Sequence, residues 1–179
     1  MIISKKDKIE ILENAFGYIV IFAMFAYGIG KMVQFEGASS TNLKFSEMTA
    51  QQLMWPFYGY SKPYVLTLGF LEILGGTLML IKRTRILGCL YISTILVNVI
   101  LQDIFYRVNI GALKAAIVYQ LLILIILWIN KEKLKQSIKL LYNLNKVEQS
   151  KKKLGNKLLL SVLIFAIFRI VEFYITIKW

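Results

Sequence analysis

Histidine is absent from all 179 residues, and cysteine occurs once, at Cys89. With one thiol the chain can form no disulfide of its own, perform no dithiol exchange and hold no cysteine-ligated iron–sulfur cluster. Without histidine it has no imidazole base, no histidine-held haem and no histidine-bearing zinc site. Cys89 lies among apolar neighbours and reads as a small packing residue. Proline is also scarce, with only Pro56 and Pro63, and both fall outside the long apolar runs. Those runs are therefore expected to be unkinked helices. No phosphate-binding loop, dinucleotide fingerprint or Gly-x-Ser-x-Gly elbow is present, which removes the common soluble enzyme classes. No catalytic residue and no metal site are assigned.

What is abundant is apolar. Hydrophobic residues make up 58% of the chain and mean hydropathy is +0.62, against about 45–50% apolar content in an average soluble domain. A membrane-crossing helix needs roughly 20 mainly apolar residues. Five runs qualify: Ile11–Gln34, Pro63–Ile81, Ile86–Ile104, Ala112–Ile129 and Leu158–Ile177. Backbone groups in hydrocarbon must pair within their own segment, so these are helices unless they close a barrel, and runs such as Leu121–Leu127 do not alternate as barrel strands do. The expected fold is an all-α membrane protein. It comprises an antiparallel four-helix transmembrane bundle over residues 1–130 with an external loop at 35–62, a basic amphipathic cytoplasmic arm at 131–157, and a fifth C-terminal transmembrane helix at 158–179. The polar start, Met1–Glu10, and the length of the first run argue for a retained span rather than a signal peptide.

Charge sets the orientation. The net charge is +12, and it is unevenly placed. Lys5, Lys6 and Lys8 precede the first run, Lys82, Arg83 and Arg85 join the second to the third, and nine lysines lie from Lys131 to Lys157. The alternate connections and the far end carry only Lys31, Lys44, Lys62, Arg107, Lys114 and Lys178. The positive-inside rule then puts the N-terminus in the cytoplasm and, across five spans, the C-terminus outside. Basic density on one face of a membrane protein is the signature of contact with anionic lipid headgroups rather than with nucleic acid. In the arm, Leu134, Ile138, Leu141 and Leu144 share a face, as expected of a helix lying on the inner leaflet.

Several polar residues sit at depths where lipid is an expensive neighbour. Glu72 falls about nine residues, roughly 13 Å, below the outer boundary. A carboxylate there costs about 2.5–3.5 kcal/mol or more unless it is protonated, paired or turned to a wet cavity. Gly69 and Gly76 flank it two turns apart, which lets a neighbouring helix approach that side closely. The short link Lys82–Arg85 forces a hairpin and brings Glu72 to about the depth of Ile95, within a turn of Asn98, which shares a face with Gln102 at i,i+4 spacing. Arg169 and Glu172 are three apart on the fifth run and are expected to pair, with Arg169 within reach of Glu72 if both point inward. Asp103 and Arg107 have i,i+4 spacing and read as an exposed structural pair. Lys31 ends the first run, where snorkelling to water is the plain expectation. Trp55, Phe57, Tyr58 and Tyr60 in the external loop fit an interfacial aromatic belt or a lid over a cavity. A Thr49-x-x-Gln52 box would start a short helix there and Pro56 would stop it. The candidate ligand-binding set is therefore Lys31, Glu72, Asn98, Gln102, Arg169 and Glu172, with Trp55, Phe57, Tyr58 and Tyr60 as candidate lid.

Gly69-x-x-Glu72-x-x-Gly75-Gly76, the later Arg83-Thr84-Arg85-x-Leu87-Gly88 and Tyr27-Gly28-x-Gly30-Lys31 together resemble the DoxX-like integral membrane proteins. Phe57-x-Gly59-Tyr60-Ser61, and Asn98 followed by Phe105-Tyr106, resemble the branch common in Bacteroidetes. The resemblance covers residues 11–130 and implies a bacterial inner-membrane bundle linked to quinone-dependent systems or to the assembly of other membrane proteins. Lys31, Glu72 and Asn98 match polar positions of that family, while the arm and fifth helix depart from its pattern.

Three functions follow as expectations. The first is an accessory subunit with no chemistry and no intrinsic cofactor, holding a membrane protein partner or a lipophilic molecule, a quinone or a lipid, near Glu72. The second is a quinone-linked oxidoreductase subunit in which Glu72 or Lys31 relays protons, which the missing histidines disfavour. The third is a small-solute or ion carrier, disfavoured by unbroken helices and the absence of a visible inverted repeat.

Overall fold

A computed structural model describes residues 4–38, 43–142 and 151–177. Among these residues the chain is entirely helical: α1 (Lys5–Gly30), a 3-10 turn (Phe45–Glu47), α2 (Ala50–Gly59), α3 (Lys62–Leu80), α4 (Arg85–Tyr106), α5 (Ile110–Ile129), α6 (Lys131–Tyr142) and α7 (Lys151–Ile177). Five of them, α1, α3, α4, α5 and the stretch Gly155–Thr176 of α7, are long and apolar enough to cross a membrane.

Helix boundaries follow local chemistry. α1 begins six residues before the apolar run because Ser4 and Asp7 form a capping box, with Asp7 N–H donating to Ser4 Oγ at 3.2 Å and Ser4 N–H to Asp7 Oδ2 at 3.0 Å. Two of the N–H groups that a helix start leaves unpaired are thereby satisfied. Thr49 and Gln52 do the same for α2. Pro56 does not stop that helix; it lies inside it, and Tyr60 N–H closes onto the Pro56 carbonyl at 2.9 Å. Proline lacks a donor but keeps its acceptor, so one more turn can form beyond it. Asn109 caps α5 by accepting from Ala112 N–H at 3.0 Å. Arg107 ends α4 in the left-handed conformation, φ 50° and ψ 42°.

Compact contacts divide the chain into two units, Met1–Ser137 and Ile138–Trp179, so the division falls inside α6 rather than at residue 130. Of the arm, the described residues are helical over Lys131–Tyr142 in α6 and from Lys151 onward in α7. Leu144 lies outside the described residues. In the second unit, the described side chains of α7 are exposed along its length.

In the first unit α1 packs on α3 and α5, and α4 packs on the same two helices. These four therefore enclose a common core of Val20, Met24, Met79, Cys89, Ile92, Ile123 and Ile126. Their outward faces are also apolar, with Phe22 76% and Phe70 62% exposed. Apolar residues both inside and out are what a lipid solvent selects, and lipid supplies little hydrophobic force to press helices together. Close backbone packing has to do it instead, and glycine permits it. A Cβ added at Gly28 would meet the Gly69 carbonyl oxygen at 2.7 Å, and one at Gly88 would lie 2.5 Å from Met79 N and 2.9 Å from Met79 Cα. Gly75 instead makes room for a side chain, Ile92 of α4, whose Cγ1 would lie 2.6 Å from an added Cβ.

Backbone cannot retreat as a flexible side chain can, so Gly88→Ala is expected to lever α4 away from α3 and cost about 1–3 kcal/mol. Gly30→Ala, whose added methyl has open space, should be neutral or stabilise by up to about 1 kcal/mol through helix propensity. Reversible unfolding of the two variants in detergent or bicelles measures the difference.

Candidate functional site

A cavity of about 470 Å³ opens where the end of α1, α2, α3, α4 and the start of α5 converge. Its walls are mainly apolar, supplied by residues such as Leu68, Leu71, Ile95 and Val99. Its polar groups come from close to half of the lining residues and include three distinct arrangements.

The first is an ion pair. Lys31 Nζ stands 3.5 Å from Glu72 Oε1, with side chains only 13% and 10% exposed. Lys31 does not snorkel away from the fold. Gly28, one turn before Lys31, lies against Gly69, one turn before Glu72, and a Cβ at Gly69 would touch Lys31 Cβ at 3.0 Å. The two glycines bring α1 and α3 to the separation at which a lysine on one can lie along the other. Lys31 Nζ also donates to Gln34 Oε1 at 2.9 Å and stands 5.9 Å from the centre of the Phe35 ring.

The second is a pair of orphan carboxylate oxygens. Glu72 Oε2 and Asp103 Oδ2 are buried without a hydrogen-bond partner among the described residues. Asp103 was expected to pair with Arg107 at the surface. Instead it is 8% exposed, lines the cavity, and accepts from Asn109 N–H through Oδ1 at 3.3 Å. The left-handed turn at Arg107 takes that residue out of helical register, so the i,i+4 relation is lost. Buried acceptors left unpaired cost about 1–3 kcal/mol each, so they mark a place where a donor would be bound favourably.

The third is an aromatic cover. Tyr58 of α2 donates to Gln102 Oε1 of α4 at 2.9 Å, and its ring stacks on Phe35 at 5.1 Å and on Tyr64 at 6.2 Å. Trp55 meets Phe35 edge to face at 5.1 Å. α2 is thereby fastened across the cavity from the end of α1 to α4. Burial pushes the Tyr58 phenol above its ordinary ionisation range, with the neighbouring Tyr64 adding to the effect, so it stays a neutral donor at physiological pH.

Of the residues singled out from sequence, Lys31, Glu72, Asn98, Gln102, Trp55 and Tyr58 line this cavity. Phe57 and Tyr60 do not; they are 67% and 88% exposed, as residues of an interfacial belt would be. Arg169 and Glu172 belong to the second unit and pair with one another, with side chains 60% and 55% exposed. The counter-charge of Glu72 is Lys31. Sequence reasoning missed Phe35 and Asp103. Phe35 was detectable as the i+4 neighbour of Lys31 on one helical face. Asp103 was visible as a carboxylate inside an apolar run, but its partner was not, because that depends on how the turn after α4 folds.

Over 124 residues the chain is 35% identical to Uncharacterized protein YwoB of Bacillus subtilis (strain 168), a match spanning 68% of this chain and 79% of that protein. No protein-family model and no solved structure matches the chain.

If Lys31 and Glu72 act as a unit, Lys31→Met strands a buried carboxylate and should destabilise the fold by about 3–5 kcal/mol, whereas Lys31→Met combined with Glu72→Leu should recover most of that loss. A double-mutant cycle on unfolding in bicelles reads the coupling. Additive effects of the two substitutions would show that the groups do not interact.

Proposed function

This chain belongs to the family of Bacillus subtilis YwoB, and on that premise we propose that it is a multi-pass protein of the bacterial inner membrane whose helix bundle holds a lipophilic molecule beside Glu72. In this reading α1, α3, α4 and α5 form an antiparallel transmembrane bundle, α7 is a fifth span, and the N-terminus is cytoplasmic. The DoxX-like resemblance belongs to the same reading. The basic residues at the N-terminus, in the α3–α4 turn and on α6 then lie toward anionic headgroups. The protein performs no chemistry itself and serves as an accessory subunit that holds or presents its ligand to a membrane partner.

The observation that supports this most strongly is the composition of the cavity wall. A volume of about 470 Å³ lies within the roughly 300–1,000 Å³ typical of small-molecule sites, and those sites combine apolar walls with a few placed polar groups. Lys31 can donate to a carbonyl or phosphoryl oxygen. Glu72 Oε2 and Asp103 Oδ2 ask for donors. A lipophile with a hydroxyl- or amine-bearing head satisfies both demands and leaves its chain among Leu68, Leu71 and Ile95.

A second reading has one observation in its favour. A quinol carries two hydroxyl donors, and two orphan carboxylate oxygens at one cavity could accept them, so a quinone-linked subunit would use the same residues. The oxidant or reductant would then belong to a partner, because this chain has no intrinsic redox group.

Extraction of the full chain in mild detergent, followed by organic extraction and mass spectrometry, tests the proposal. A lipophile should co-purify in stoichiometric amount, and Tyr58→Ala with Trp55→Ala should lower its occupancy at least about tenfold while leaving helix content unchanged, as loss of aromatic contact area predicts. Equal occupancy in the variant, or recovery of the bare chain, would contradict it. A quinone among the extracted molecules, with redox turnover by a co-purified partner that falls in Glu72→Gln, would favour the second reading.

A further inference from the structure

A second cavity, of about 810 Å³, lies at the opposite end of the first unit, between the start of α1, the α3–α4 turn and the start of α6. It shares no lining residue with the Glu72 cavity. Its wall holds six basic side chains and two acidic ones, and the two acids are already occupied. Lys82 Nζ pairs with Glu10 Oε1 at 2.6 Å. Arg85, 5% exposed, donates through Nη1 to Glu13 Oε1 at 3.2 Å and to Asn14 Oδ1 at 2.7 Å, and through Nε to the Met79 carbonyl at 3.2 Å. Nearby acids outside the wall are used as well: Asp7 caps α1 through Ser4 and Glu132 pairs with Lys135.

Subtracting those pairs leaves Lys5, Lys6, Arg83 and Lys133 around one concavity, none of them in an ion pair among the described residues. Lys133 is held in place by Asn130, whose Oδ1 accepts from its Nζ at 3.2 Å while Asn130 Nδ2 is anchored on the Ile126 carbonyl at 3.0 Å. Four like charges gathered in a pocket repel one another. The arrangement is most stable with an anion inside. The first turn of α4 contributes in the same sense, because the N-terminal half-charge of a helix favours anions and both Arg85 and Ile86 line the wall.

We propose that this cavity is a discrete binding site for a phosphate-bearing anion of at least two negative charges, gripped by Lys5, Lys6, Arg83 and Lys133. Arg83 suits a phosphate because its planar fork can hold two oxygens at once, and the lysines supply point charges around it. The ammonium and guanidinium groups recognise the phosphate, which can come from a lipid headgroup or from a soluble polyphosphate. This goes beyond the diffuse attraction of a basic face to anionic lipid, since it assigns saturable binding to particular residues. It does not depend on the Glu72 cavity.

The test uses the full chain in zwitterionic detergent, titrated with cardiolipin, phosphatidylcholine or inorganic pyrophosphate and read by native mass spectrometry and thermal shift. Cardiolipin is expected to bind saturably and at least about tenfold more tightly than phosphatidylcholine. The triple variant K5Q/K6Q/R83Q, which touches neither the Lys82–Glu10 nor the Arg85–Glu13 pair, should lose about a hundredfold in affinity, as three neutralised charges near a phosphate surface predict. The equally charge-reduced K8Q/K131Q/K139Q, at exposed positions outside the cavity wall and in no ion pair among the described residues, should lose no more than about threefold. Because all three residues of the first variant are exposed and their mutual repulsion is relieved, its melting temperature without ligand should equal or slightly exceed that of the parent; the single R83Q provides a milder variant with the same sign. Competition by pyrophosphate would identify phosphate alone as the recognised group, and cardiolipin binding without such competition would identify the lipid headgroup; either supports the site. Equal losses in the two triple variants would reduce the effect to diffuse charge and overturn it, as would the absence of saturable binding by any of the anions.

Discussion

One contact sets the rest of the first unit: the backbones of α1 and α3 touch at Gly28 and Gly69, and one turn further on Lys31 reaches Glu72. An isolated carboxylate at that depth is expensive, and so is an isolated ammonium. Together, and held by a helix separation that any side chain larger than hydrogen would widen, they become tolerable. The cost of burying charge is then met by geometry rather than by water. That dependence runs both ways, because the same pair occupies the wall of the cavity and gives it a polar end.

The cavity is defined by its position relative to that pair. α4 contributes Gln102 and Asp103 on the facing side, and α2 closes over the opening through Tyr58 and Trp55. α2 is joined to α3 only through Tyr60 and Ser61, so its placement is constrained by the chain as well as by its ring contacts. Segments fastened mainly by a few side-chain contacts open at lower free energy than packed core helices. In the function proposed above, this cover is the part that would admit a lipophile and shield it afterwards. The second cavity, at the other end of the same helices, uses the opposite strategy: its acids are neutralised internally and its cations are left over.

Much of this was legible from residues alone, and what was missed follows a pattern. The long apolar runs gave the five membrane-length helices because backbone in lipid has few alternatives to helix. Glu72 and the small residues beside it stood out because each is costly or unusual in such a run. Lys31 read first as a snorkelling residue, since sequence gives depth along a helix but not the direction a flexible side chain takes. Asp103 was misjudged because its nominal partner, Arg107, leaves the helix through a left-handed residue that no periodicity announces. Pro56 was read as a stop, although a proline breaks only the bonds behind it. Arg169 and Glu172 paired as their spacing implied, but in a unit of their own.

The claim on which the account rests most directly is that Lys31 and Glu72 meet inside the bundle. Solid-state NMR on the full chain in lipid bilayers, with nitrogen-labelled lysine and carboxyl-labelled glutamate, measures it without altering the protein, and the signal is assigned by its loss in Lys31→Met. The account predicts a strong short-range dipolar coupling between the Lys31 ammonium and the Glu72 carboxyl, in keeping with a nitrogen–oxygen separation of 3.5 Å. No detectable coupling between them would contradict it.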